Sequence, residues 1–140
     1  MSNAYDGGCL CGTIRYRVTG PLRDIVFCHC SQCRRQSGLY FAATACAPGD
    51  LAILQGDDAL RWYAASDHAR RGFCGTCGSA LFWKPTAQTH VAILAGSLDD
   101  ASGLKASMHV CTEGRATFYT VADGLPQHAH DGPGVPLAPR

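Results

Sequence analysis

The chain has 140 residues, 46% of them hydrophobic, and a formal net charge of +1. That length suits one domain with a real core, since folding at this size removes roughly two-thirds of the chain's surface from water. No apolar run approaches the ~20 residues needed to cross a bilayer. The near-neutral charge gives no electrostatic reason to expect nucleic acid. The opening MSNAYDGGCL lacks both the basic and the apolar part of a secretory signal, so a cytoplasmic protein without a membrane or nucleic-acid partner is expected.

Gly and Pro together supply 16 and 7 residues, while Glu113 is the one Glu and Lys84 and Lys105 the only Lys. Helix faces are usually filled with Glu and Lys, and Gly and Pro interrupt helices, so strands and turns are favoured. In chain order, Ile14, Tyr16 and Val18 alternate with Thr13, Arg15 and Arg17 as in a half-buried strand. Further strands are expected over 24–28, 40–46, 51–54, 60–64, 69–74, 80–83, 90–95, 108–111 and 117–121. Turns are expected at Pro48-Gly49-Asp50, Gly56-Asp57-Asp58 and Lys84-Pro85-Thr86. Short helical pieces are expected after Cys30 and around 99–103. Many short strands with regular turns predict a mainly β domain over 1–126. Pro133, Pro136 and Pro139 make 127–140 an irregular, Pro-rich tail.

Nine cysteines is an odd number, and without an export signal they point to metal ligands or reactive thiols rather than disulfides. Seven fall in three clusters: Cys9 and Cys11; Cys28, Cys30 and Cys33; Cys74 and Cys77. Residues i and i+2 of an extended segment point the same way, so Cys9 and Cys11 can offer two sulfurs to one ion. Cys74 and Cys77 have Gly75 between them and Gly78 after them, and glycine's positive φ lets a backbone wrap a metal. The two pairs together predict a tetrahedral four-cysteine zinc site that staples the fold.

The middle cluster supplies three thiolates, and three protein ligands with an open fourth position mark a catalytic rather than a structural zinc. The opposing possibility is a closed site completed by Cys46, Cys111, His29 or His109. His29 is expected to face away from the cluster, and Cys46 and Cys111 to lie in strands as small buried apolar residues. Three thiolates on Zn²⁺ leave a net −1, which Arg34 and Arg35 can offset unless they bind a substrate carboxylate or are simply solvated. His109 is a candidate proton shuttle, with an ordinary structural histidine as the alternative.

Three ordered motifs resemble the glutathione-dependent formaldehyde-activating enzyme family: Gly8-Cys9-Leu10-Cys11-Gly12, CHCSQCRRQSG from Cys28 to Gly38, and FCGTCGS from Phe73 to Ser79. GSLDD from Gly96, His109 and DGLP from Asp123 follow in the same order, and the domain also resembles the centromere protein V type. The resemblance implies an Mss4-like, zinc-stapled β-sheet fold with few short helices. It implies a structural zinc on Cys9, Cys11, Cys74 and Cys77, and a second zinc on Cys28, Cys30 and Cys33, two per chain. It further implies a carbon–sulfur lyase of the S-hydroxymethylglutathione synthase type, joining or separating glutathione, or another small thiol, and formaldehyde or a similar aldehyde. The family often has an aromatic residue where Cys111 stands and a Trp where Phe118 stands, which puts the substrate pocket in question. Two other functions are open: a non-catalytic zinc-stapled binding module, and methionine sulfoxide reduction through Cys111.

Overall fold

The computed structural model describes residues 4–139. Two sheets carry the fold. The smaller is antiparallel and joins β1 (Ala4–Gly8), β2 (Arg15–Thr19) and β5 (Leu51–Gln55) in the order β1-β2-β5. The larger contains β3 (Ile25–Cys28), β4 (Phe41–Cys46), β6 (Leu60–Tyr63), β7 (Ala69–Cys74), β8 (Ala80–Pro85), β9 (Val91–Leu94) and β10 (Ala106–Val110). Its order is β10-β3-β4-β9-β8-β7-β6, antiparallel throughout except that β10 runs parallel to β3. One α-helix, α1 (Ser31–Ser37), follows β3, and short 3₁₀ turns punctuate the loops. The molecule is therefore mainly β, as its composition predicts. Among the described residues no helix is long and apolar enough to cross a membrane.

Alternation explains the packing. Tyr16 and Val18 of β2 are buried and Arg17 between them is exposed. The buried face meets Phe82 of β8 and Ile93 of β9, so one core cluster draws on both sheets. The Tyr16 and Phe82 rings meet edge-on, 5.2 Å between centroids. Tyr16 satisfies its buried hydroxyl on Ser97 Oγ at 2.6 Å, and burial pushes its pKa up to about 12. Gly7 of β1 is required opposite it, because a Cβ there would run into the Tyr16 hydroxyl and the Ser97 carbonyl.

The structure corrects four local expectations. Residues 4–8, with Gly7 and Gly8, form β1, which composition alone does not suggest. Residues 99–103 are not helical: a 3₁₀ turn falls earlier, at Ala95–Ser97. Residues 117–121 form no strand: Tyr119 N–H bonds the Ala116 carbonyl, and Arg115 Nε donates to the Tyr119 carbonyl at 3.0 Å, closing a loop. The outer side of β10, the strand before it in the chain, is taken by the segment after Pro126. There Gln127 bridges His109 in parallel, and His128 and His130 exchange backbone hydrogen bonds with His109, Cys111 and Thr112. Lastly, β10 ends at Val110, so Cys111 lies outside the strand.

Candidate metal centres

The sulfurs of Cys9, Cys11, Cys74 and Cys77 all lie within 4.8 Å of one another. Cys9 and Cys11 are not on an extended strand, as expected, but in a turn between β1 and β2. The convergence comes from two matching loops. Gly12 N–H returns to the Cys9 carbonyl at 3.1 Å, and Gly78 N–H to the Cys74 carbonyl at 2.8 Å. Gly12 and Gly78 sit at φ +80° and +83°, a region that a Cβ penalises. Gly75 does not take positive φ; it leaves room instead for Arg61 Cγ and the Ala59 carbonyl, 3.0 and 3.1 Å from where its Cβ would stand.

Backbone N–H groups already point at these sulfurs: Ile14 at Cys9 (3.2 Å), Thr76 and Cys77 at Cys74 (3.4 Å each). Such donors favour thiolate over thiol. The Ser79 hydroxyl and backbone hold Cys77 down to about 5. Tetrahedral zinc with bonds of about 2.3 Å spaces its sulfurs about 3.8 Å apart. The Cys9–Cys11 and Cys11–Cys74 sulfur separations are 3.6 and 4.0 Å. The donor set fits a metal of that kind.

Cys28, Cys30 and Cys33 form a second group, again within 4.8 Å of one another. Cys28 ends β3, Cys30 caps α1 by accepting the Cys33 N–H (3.4 Å), and Cys33 lies one helical turn on, buried. The strand-to-helix turn thus gathers three sulfurs within six residues. Neighbouring sulfurs and two backbone N–H groups hold the Cys30 thiol far below its usual range, while Cys33 is pushed far up by Cys28, Cys30 and burial.

This cluster opens into a cavity of about 530 Å³ across one face of the large sheet. Val26, Phe41, Ala43, Trp83 and Ala92 supply its apolar wall, and Arg23, Arg71, His68, His90, Cys111 and Asp131 its polar groups. The residue that faces the cluster's charge is Arg71 of β7. It is 5% exposed, and its two terminal nitrogens stand 3.7 and 3.6 Å from Cys33 Sγ. Gln36 and Gln32 carboxamide oxygens accept from the same nitrogens at 3.1 Å, and the guanidinium lies 4.9 Å from the Phe41 ring centre.

Arg34 and Arg35 are placed elsewhere. Arg34 Nε donates to the Gly114 carbonyl at 3.1 Å, which ties α1 to the loop after β10. Arg35 is exposed and borders a neighbouring hollow with Tyr63 and Phe73. Neither lines the cavity, because α1 turns them away from it while Arg71 enters from the sheet. Sequence reasoning missed Arg71; the available signal was a charge sharing the strand phase of Ala69, two residues before it.

His109 is fully buried and does not line the cavity. Its strand neighbour Val110 pairs with Cys28 and faces the cavity, so His109 faces the other way with Phe27. His29, between two of the cysteines, faces the same way. His109 Nε2 bonds Asp123 Oδ2 and His109 Nδ1 bonds His29 Nε2, both at 2.7 Å. A carboxylate can only accept, so His109 donates from Nε2, and in the neutral ring its Nδ1 then accepts from His29 Nε2. Burial and the neighbouring His109 lower the His29 pKa. Cys46 is fully buried in the core, as expected of a small apolar residue.

A mainly β domain with a four-cysteine group and a three-cysteine group, each able to hold a metal ion, and with the second opening on a cavity, defines the class. Residues 4–114 match the glutathione-dependent formaldehyde-activating enzyme family, and the chain belongs to that family. Its fold is Mss4-like. It is 30% identical over 82 residues to an uncharacterized lyase of Schizosaccharomyces pombe, covering 59% of this chain and 58% of that protein. It is 32% identical over 85 residues to a putative glutathione-dependent formaldehyde-activating enzyme of Halomonas elongata, covering 55% and 54%. The chain thus matches little more than half the length of these curated relatives. The crystal structure of a Rhodobacter sphaeroides protein superimposes with a TM-score of 0.59 at 26% identity, covering 70% of this chain and 91% of that one.

Proposed function

We propose that the protein is a zinc-dependent carbon–sulfur lyase that forms or cleaves an adduct between glutathione, or a similar small thiol, and formaldehyde or a similar small aldehyde. The observation that carries this reading is the three-sulfur cluster of Cys28, Cys30 and Cys33 opening into a cavity of about 530 Å³. That volume lies in the range of small-molecule sites, about 300–1,000 Å³. Family membership and the name of the Halomonas relative support the substrate class, and the name of the Schizosaccharomyces relative supports the lyase reaction.

Cys9, Cys11, Cys74 and Cys77 would hold a structural zinc, and Cys28, Cys30 and Cys33 a second one. Zinc at the second cluster would keep a substrate thiol as thiolate, the nucleophilic form, near neutral pH. The chain's own groups do the rest. Arg71 donates toward Cys33 and offsets the negative charge that three thiolates and another sulfur accumulate. Arg23 and Arg71 give a glutathione carboxylate two cations, and Asp131 gives its ammonium an anion. Trp83, Phe41 and Val26 wall the cavity against water. Bringing thiol and aldehyde together there converts an encounter in solution into a reaction of positioned partners. Since Arg34, Arg35 and His109 lie off this cavity, Arg71 takes the place expected of the two arginines, and the His29–His109–Asp123 chain takes a structural place.

The test is adduct formation from glutathione and formaldehyde, followed by NMR, with zinc-loaded protein. Acceleration by the wild type and none by Cys30→Ser is the expected result. Equal rates with and without the wild-type protein reject the reading.

A further inference from the structure

The cavity is chemically uneven. Apart from Arg71, its charged and titratable groups come from outside the strands: Arg23 precedes β3, His68 precedes β7, His90 precedes β9 and Asp131 follows β10. The strands around Cys28 supply apolar side chains. Cys28 pairs with Val110 of β10 on one side and Phe41 of β4 on the other, so all three share one face of the sheet. Val26, two residues earlier in β3, points the same way and pairs with Ala43. Phe41, Ala43 and Val110 are 3, 9 and 8% exposed, so this floor is nearly dry. Its backbone polar groups are committed to the sheet. A ligand amide, hydroxyl or carboxylate laid on it would lose water and find no hydrogen-bond partner.

Glutathione carries carboxylates, an ammonium and amides, which suit the charged groups that the loops bring in. Formaldehyde adds one carbon bearing hydrogens and a hydroxyl. Neither covers the floor around Cys28. The carbon that joins the sulfur stands next to that floor, and its substituent is the group the floor meets. We propose that the aldehyde taken by this site carries an apolar chain or ring, a small aliphatic or aromatic aldehyde in place of formaldehyde.

The shape of the floor agrees with its chemistry. The four adjacent strands β3, β4, β9 and β8 present Val26, Ala43, Ala92 and Trp83 to the cavity. Across the sheet these side chains run large, small, small, large. They form a trough between Val26 and Trp83, with the sulfur cluster beside it, where a chain or ring can lie. The step is the addition described above, and it balances without oxidant or reductant. The thiolate sulfur bonds to the carbonyl carbon, the C=O pair moves to oxygen, and that oxygen takes up a proton in exchange for the one the thiol released.

The inference rests on the reading above for a thiol at Cys28, Cys30 and Cys33, and its test separates the two. S-methylglutathione and S-butylglutathione stand in for the adducts of formaldehyde and butanal, and calorimetric titration into zinc-loaded protein requires no turnover. Each buried methylene is worth about fourfold, so the butyl compound should bind at least about tenfold more tightly. In adduct formation followed by NMR, the acceleration over the uncatalysed reaction should be greater for butanal than for formaldehyde. Val26→Thr keeps the size of the side chain but puts a hydroxyl on the floor, and Ala43→Leu fills the trough. Each should cut the butyl preference severalfold, with a melt like that of the wild type showing that the variant is folded. Equal or weaker binding of the butyl compound, or a greater acceleration for formaldehyde, overturns the inference; turnover of formaldehyde then leaves the reading above standing. A butyl preference that both variants keep in full overturns the placing of the substituent beside Cys28. No binding of either thioether, with no acceleration of either aldehyde, overturns the inference and the lyase reading together.

Discussion

Arg71 directs both terminal guanidinium nitrogens at Cys33 Sγ, at 3.7 and 3.6 Å, from a strand 38 residues further along the chain. It ties the two halves of the molecule at one sulfur: β7, which runs into the four-cysteine staple at Cys74, and α1, which carries the three-cysteine cluster. A metal held by the four cysteines would therefore position the counter-charge of the cluster as well as brace β7.

Replacing Arg71 with Met keeps much of the packing on Phe41 and removes the charge. The affinity of the Cys28–Cys30–Cys33 site for zinc should fall about 10–100-fold, as losing an outer partner of a metal ligand does. The four-cysteine site should be unaffected. Competition with a chromophoric chelator reads both sites; equal affinities in wild type and variant would reject the role given to Arg71.

Cys74→Ser removes one sulfur from the staple and, with it, the acceptor of the Thr76 and Cys77 N–H groups. A structural zinc is worth about 10–16 kcal/mol in model peptides, against a domain's net stability of about 5–15 kcal/mol. The variant should fail to fold at ordinary temperature. Far-UV circular dichroism and chelator-induced melting of the wild type check this, and a cooperative, native-like melt of the variant would contradict it.

His109→Phe takes the acceptor from His29 Nε2 and leaves a buried polar group unpaired. The cost should be about 1–3 kcal/mol, read by denaturant unfolding. Because His109 faces away from the cavity, the folded variant should keep the wild-type dependence of rate on glutathione. A variant of full stability that loses turnover would restore His109 to the chemistry.

His90 lines the cavity against Trp83, and burial together with Arg23 holds its pKa below the ordinary 6.5. Below pH 6.5 the unfolded chain then binds a proton that the folded chain refuses, so this group makes stability fall as pH drops through that region. Above pH 6.5 both states are neutral and the dependence vanishes. Thermal unfolding of zinc-loaded protein between pH 8 and 5.5 should show a shallower loss for His90→Gln than for wild type. Parallel curves would rule out a shifted His90.

The sequence makes the two sulfur clusters plain because their members are close in the chain: Cys-X-Cys, Cys-X-Cys-X-X-Cys and Cys-X-X-Cys each bring sulfurs together by local geometry. The strands of the large sheet are equally plain, since each buries an alternating or apolar run against its neighbours. What stays hidden depends on distant pairing. Residues 117–121 alternate like a strand, yet they form a loop, and the outer side of β10 is held by Gln127 and His128. Arg71 and Cys111 reach the cavity through strand register, β7 against β8 and β10 against β3, which no single run of residues encodes. The tail reads as irregular from its prolines, yet its first residues bring Asp131 to the cavity.

The central claim is that a small thiol binds at the three-cysteine cluster. Calorimetric titration of glutathione into protein carrying two zincs per chain, repeated with Cys30→Ser, tests it most directly. Saturable binding that disappears in the variant is the predicted result. No binding to the fully loaded wild type would contradict the account and leave a zinc-stapled domain with a different ligand.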